Sequence, residues 1–251
     1  MNYSVKKIAL VAGVGVLMIG LIGMASKRQL ERKVNDMAIS IKDQGGNYFI
    51  DQFEVTSLIN AENTDYVLGL TLDQLNLKEL ERRVEMNAFV RDAQIYLDIQ
   101  GNLQVALIQS KPIARILKYQ GSSRYIDDEG NLLPLNTKHT ARVPVVELDY
   151  KAGWEQSLTE DDFGTKFLAL LTHIESDPFW KAQIAHIIVD AQQELTFIPQ
   201  VTRQEVIFGS TKNMQAKFDR LKLFYTEVLP AKGWNTYAYV NVKYENQIVC
   251  K

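Results

Sequence analysis

Few residues in this 251-residue chain could bind a metal or attack a carbonyl: Cys250, three histidines and one run of carboxylates. A nucleophilic thiol needs a base or cation beside it, and a zinc site needs ligands at short fixed spacings. Cys250 is the one cysteine and cannot close an internal disulfide; His139, His173 and His186 fall at no ligand spacing. Asp127-Asp128-Glu129-Gly130 crowds three carboxylates before a glycine. An EF-hand sets its oxygens at alternating positions around a longer loop, so this contiguous run reads as an acidic turn. No G-x-S-x-G, H-E-x-x-H or Walker glycine loop occurs. The expectation is a protein that is not an enzyme and has no catalytic, cofactor or metal site. A net charge of −2 offers no polycationic surface, which excludes nucleic acid as the expected partner.

The chemistry that remains is that of the main chain. The sequence ends on YVNVKYENQIVCK, where apolar and polar residues alternate as in a β-strand. From Thr236 to Lys251 there is no proline, and only Lys243, Glu245 and Lys251 are charged. Outer strands are commonly blunted by proline, bulges or dense charge. An edge without those devices either accepts another chain as an added strand or is shielded by a neighbouring segment, and the pattern alone leaves both open. Cys250 reads as a small half-buried residue in that strand.

The elements that would carry such an edge begin with an uncharged run from Ile8 to Ala25, 18 residues of which nine are Ile, Leu or Val. At about 1.5 Å per residue it spans roughly 27 Å, near the thickness of a hydrocarbon core. Its length exceeds the apolar region of a cleaved signal peptide, so residues 8–25 are expected to be an uncleaved transmembrane helix after a tail of residues 1–7. Lys6 and Lys7 precede the run, while Lys27, Arg28, Arg32 and Lys33 follow it. That count alone favours a cytoplasmic C-terminal part. Residues 26–35, with Leu30 and Val34 four apart, read as a short stiff linker.

MAISIKD alternates as a strand, and QGGN breaks it. Asp51 and Asn76 are each followed three residues later by glutamate, which predicts two N-capped helices; Ile50 with Val55 and Leu75 with Leu80 are placed as staples. Leu77, Leu80 and Val84 give the second helix its apolar stripe, leaving Glu81, Arg82, Arg83 and Glu85 as a solvated face. FVRDAQIYLDI and LQVALIQS flank Gln100-Gly101-Asn102 as a hairpin. The order is β-α-α-β-β over residues 36–111. Residues 112–251 then read as short strands interrupted by two amphipathic helices, FGTKFLALLTHIE and the segment Met214 to Val228 closed by Pro230. The expected fold is α+β: one transmembrane helix, the β-α-α-β-β domain, and a mixed β domain whose sheet is antiparallel with both helices on one face.

Taken in order, these segments resemble the FtsQ/DivIB family of bacterial division proteins. The resemblance rests on NAFVRDAQIYLDIQGNLQVALIQSKPIARI in the first domain and on YIDDEGNLLPL, IFGSTKNMQAKFDRLKLFY and YVNVKYENQIVCK in the second. The chain departs from the family pattern at Gln100, at Gln109-Ser110, at Asn241, and in stopping at Lys251 without an aromatic-bearing extension. The resemblance implies a cytoplasmic N-terminus, a POTRA domain at 36–111 and a β domain at 112–251, with the bulk in the periplasm against the charge count. It implies a non-enzymatic septal protein of the inner membrane that recruits the FtsB and FtsL coiled-coil proteins. The contact is expected at Tyr239, Tyr244, Glu245, Asn246, Gln247, Ile248 and Val249. POTRA domains also serve envelope assembly factors, and a periplasmic chaperone of that kind is the alternative.

Overall fold

The computed structural model describes residues 13, 15–20, 33–42, 48–60, 66–119 and 121–251. Residues 13 and 15–20 are helical and exposed. No helix among the described residues is long and apolar enough to cross a membrane. Most of the expected span 8–25, the tail 1–7, most of the linker 26–35 and the QGGN break lie outside the described residues. The described residues divide into two compact units, those within 1–44 and 50–109 and those within 45–49 and 110–251.

In the first unit, β1 (Met37–Lys42), β2 (Val90–Leu97) and β3 (Leu103–Gln109) form a sheet of order β1-β3-β2. The helices α1 (Gln52–Ile59) and α2 (Leu77–Glu85) lead from β1 to β2, and the β2–β3 hairpin then reverses the chain so that β3 lies parallel to β1. The caps form as the spacing predicts: the Glu54 amide donates to Asp51 and the Glu79 amide to Asn76. Gly101 turns the β2–β3 hairpin at φ +89°, and a Cβ there would sit 3.1 Å from the Lys33 carbonyl. Val55, Ile59, Leu80 and Val84 pack with Ile95, Leu103, Val105 and Leu107 as the core. The outer face of α2 is more than a solvated surface, because Glu81 and Glu85 both bond to β2 amides.

The second unit is built on a nine-stranded sheet. Its strands are β4 (Pro112–Tyr119), β5 (Ser122–Asp127), β6 (Leu132–Leu133), β7 (Val145–Leu148), β8 (Ile184–Val189), β9 (Leu195–Pro199), β10 (Glu205–Gly209), β11 (Tyr239–Asn241) and β12 (Val249–Cys250). They run in the order β12-β11-β10-β9-β8-β7-β4-β5-β6. The expected antiparallel sheet is corrected to a mixed one, since β4–β7, β7–β8 and β10–β11 pair in parallel. The cause at two of these joins is the helices themselves. The helices α3 (Asp162–Ser176) and α4 (Pro178–Gln183) carry the chain from β7 to β8, and a long helix carries it from β10 to β11. A crossover of that length returns the chain to the end it left.

That second crossover comprises α5 (Met214–Leu223), a π-helical turn (Phe224–Val228) and α6 (Leu229–Lys232). Pro230 therefore does not close the helix as expected. The Leu229 amide donates to the Phe224 carbonyl, five residues back, and Pro230 follows in the first turn of α6, where a missing N–H is tolerated. Gly233, at φ +105°, ends the segment. The widened turn brings Phe224 into the core beside Tyr225. Phe218 of α5 forms an aromatic cluster with Phe197, Phe208 and Trp180, with ring centroids 4.7–6.1 Å apart.

Candidate functional site

The second unit ends at one side of its sheet. In β11 the Tyr239 amide and carbonyl exchange bonds with Lys251, both at 3.2 Å, and the Ala238 amide also donates to the Lys251 carbonyl at 2.6 Å. The antiparallel register then sets Val240 opposite Cys250 and Asn241 opposite Val249. Bonded pairs alternate in such a ladder, so Lys251 and Val249 face β11 while the N–H and C=O of Cys250 point away from the sheet. No strand lies beyond β12 among the described residues. Side chains alternate with the backbone. Ile248 and Cys250 lean onto the core, and Val249 stands 38% exposed. Burial pushes the Cys250 thiol above its ordinary pKa, which keeps it protonated and a poor nucleophile.

The expected contact residues divide into three places. Tyr239 is half-buried in β11, with β10 and β12 on either side. Tyr244, Glu245, Asn246 and Gln247 form an exposed turn, with Tyr244 50% exposed and Asn246 in the left-handed region at φ +55°. Ile248 leads into β12, and Val249 lies in it. The continuous alternation of TYAYVNVKY predicts a longer strand than the one formed. β11 stops at Asn241, whose side chain accepts the Lys243 amide at 2.9 Å and bends the chain.

The turn is held by residues that no local pattern marks. Arg220 of α5 donates from Nη2 to the carbonyls of Val242 at 3.0 Å and Tyr244 at 3.2 Å. Asn213 donates from Nδ2 to Glu245 at 3.2 Å, and Lys243 reaches Glu194 at 2.5 Å. Arg220, Asn213, Lys243 and Glu245 line a groove of ≈ 650 Å³ together with Lys212 and Lys217. Lys217 is buried, donating to the Ser210 carbonyl at 2.7 Å with its ammonium 5.0 Å from the Phe208 ring centroid. Burial first, and then the neighbouring Arg220, push its pKa down. On the sequence, Arg220 and Lys217 read as ordinary polar positions of an amphipathic helix.

The other candidates for chemistry do not come together. His173 lies on the Phe218 ring, and His186 stands 3.4 Å from Glu147 on the neighbouring strand. Asp127 accepts the Glu129 and Asn131 amides and the Asn131 side chain, so the acidic run is a turn closed on itself at Gly130, φ +90°.

Comparison with known families assigns both units. A family model described as FtsQ/DivIB, C-terminal related matches residues 111–251, and one described as a POTRA-like domain matches residues 32–108. No curated protein matches the chain.

Proposed function

Because the chain belongs to the FtsQ/DivIB, C-terminal related family, whose domains imply a cell division protein, we propose that it acts in the septal complex as a docking protein. It recruits and links the periplasmic parts of FtsB and FtsL through protein contacts. The observation that carries this reading is the position of β12 at the outer end of the large sheet, with the polar groups of Cys250 turned outward. A partner segment pairs with these groups as an added strand, the main chain giving affinity and side chains giving specificity. Tyr244 and Val249, both exposed, are the apolar surface such a segment would cover.

The same reading puts the chain in the inner membrane as a single-pass protein, with its N-terminus in the cytoplasm and both units in the periplasm at the division site. The uncharged run 8–25 supports an anchor. So do Val16, Leu17, Met18 and Ile19, each at least 60% exposed. Consecutive helical residues lie about 100° apart, so four exposed in a row leave no side of the helix packed, as suits lipid.

The direct test is amide exchange on the full chain with and without the periplasmic segment of FtsB. The reading expects Cys250 to gain protection. Unchanged exchange at saturating segment would remove it.

A further inference from the structure

The small sheet of the first unit has two outer strands, and an outer strand turns every second amide and carbonyl away from its neighbour. On β2, Gln94 lies opposite Ala106 with Ala93 and Ile95 on either side of it. The Ile95 amide donates to the Glu81 carboxylate at 2.8 Å, and the Ala93 amide to Glu85 at a longer 3.4 Å. Bonds of this kind to a side chain outside the sheet identify these as outward amides. The spacing is what makes the match. Four residues of helix rise about 6 Å and two residues of strand about 6.7 Å. The order is reversed, 81 with 95 and 85 with 93, so α2 runs alongside the edge in the opposite direction. Side chains dress β1 in the same manner: the Met37 amide donates to Asp36 at 2.8 Å, and Gln52 donates to the Ile39 carbonyl at 3.3 Å.

We propose that Glu81 and Glu85 are edge guards, which hold β2 shut against β2 of a second copy of this chain. The sequence VRDAQIYL is suited to that self-pairing: it has no proline and carries Val, Ile and Tyr. With a dyad at Gln94, Ala93 of one copy meets Ile95 of the other, Asp92 meets Tyr96, and Arg91 meets Leu97. No like charges oppose each other, and the strand's one bulge, between Val90 and Asp92, lies at the end of this register, so nothing within Asp92–Tyr96 itself discourages the pair. The discouragement comes from α2, whose carboxylates take the amides in charge-assisted bonds and lay two negative charges along the edge. The inference concerns the first unit and stands apart from the reading of β12.

The test uses the full chain in detergent micelles, comparing the parent with Glu81→Ala/Glu85→Ala and Glu81→Gln/Glu85→Gln. Hydrogen exchange reads the Ala93 and Ile95 amides, and sedimentation reads mass across a concentration series, with any association through the apolar N-terminus common to all three. The alanine pair is expected to exchange those amides about tenfold faster and to form a dimer beyond the parent's state. The glutamine pair keeps a carbonyl acceptor at each place and is expected to hold the parent's mass. A folded alanine pair at the parent's mass throughout, or a glutamine pair that dimerises equally, overturns the proposal. Should the alanine pair not fold, Glu81→Ala alone, which opens the shorter bond, is judged by the same mass criterion.

Discussion

The Arg220 guanidinium donates to the main-chain carbonyl of Tyr244 at 3.2 Å, joining the crossover helix to the turn that carries most of the expected contact residues. The same nitrogen serves Val242 at 3.0 Å. The turn's conformation is thus fixed from the helix as well as from the strands. Arg220→Ala is expected to lower stability by about 1.5–3 kcal/mol, the usual range for bonds from a charged donor, in urea unfolding of the second unit's signal. Arg220→Lys, whose nitrogen sits on a shorter stem and does not reach the place of Nη2, should recover only part of it.

Proline substitution distinguishes the outer from the inner backbone groups of β12. Val249 faces Asn241, so Val249→Pro removes a bond inside the sheet and should loosen β12 in the isolated protein. Cys250 turns its amide outward. Cys250→Pro should leave the fold's melting temperature close to that of Cys250→Ala while weakening FtsB capture at least tenfold. Equal binding by the two Cys250 variants would exclude main-chain pairing at this position.

The Glu160 carboxylate accepts the amides of Glu155, Gln156 and Ser157 at 2.7–2.9 Å, and these bonds hold its pKa below the ordinary 4.5. A depressed carboxylate stabilises the fold fully above its unfolded value and loses that contribution as pH falls through the folded value. Glu160→Gln should therefore be less stable than the parent at neutral pH, and the gap should close below about pH 4.5. A gap constant from pH 7 to pH 3 would show that the charge is not what these amides recognise.

Gly164 in the first turn of α3 has no room for a side chain, since a Cβ would lie 1.9 Å from the Leu158 carbonyl and 2.8 Å from the Trp154 ring nitrogen. Both neighbours are fully buried. Gly164→Ala must displace backbone, and a loss of about 3 kcal/mol or more is expected in thermal or urea unfolding. An unperturbed variant would mean that α3 does not pack on the 154–158 segment as described.

Local physics made much of the chain legible. The caps at Asp51 and Asn76, the stripe of α2, the glycine at the β2–β3 turn and the strands of alternating burial all follow from interactions within a few residues, which sequence spacing records directly. Sequence also located the terminal strand and the absence of any recognisable catalytic pattern. Strand direction was less legible. The β7-helix-β8 and β10-helix-β11 orders do encode parallel pairing, but the helices read more readily as a cover over an antiparallel sheet. What only the tertiary structure decided are the contacts between distant segments: β12 at the rim of the large sheet, Arg220 on the turn, and Glu81 with Glu85 on the β2 edge. Each joins polar groups whose approach depends on how whole elements pack, and a charged residue on a helix looks the same in sequence whether it meets water or an unpaired amide.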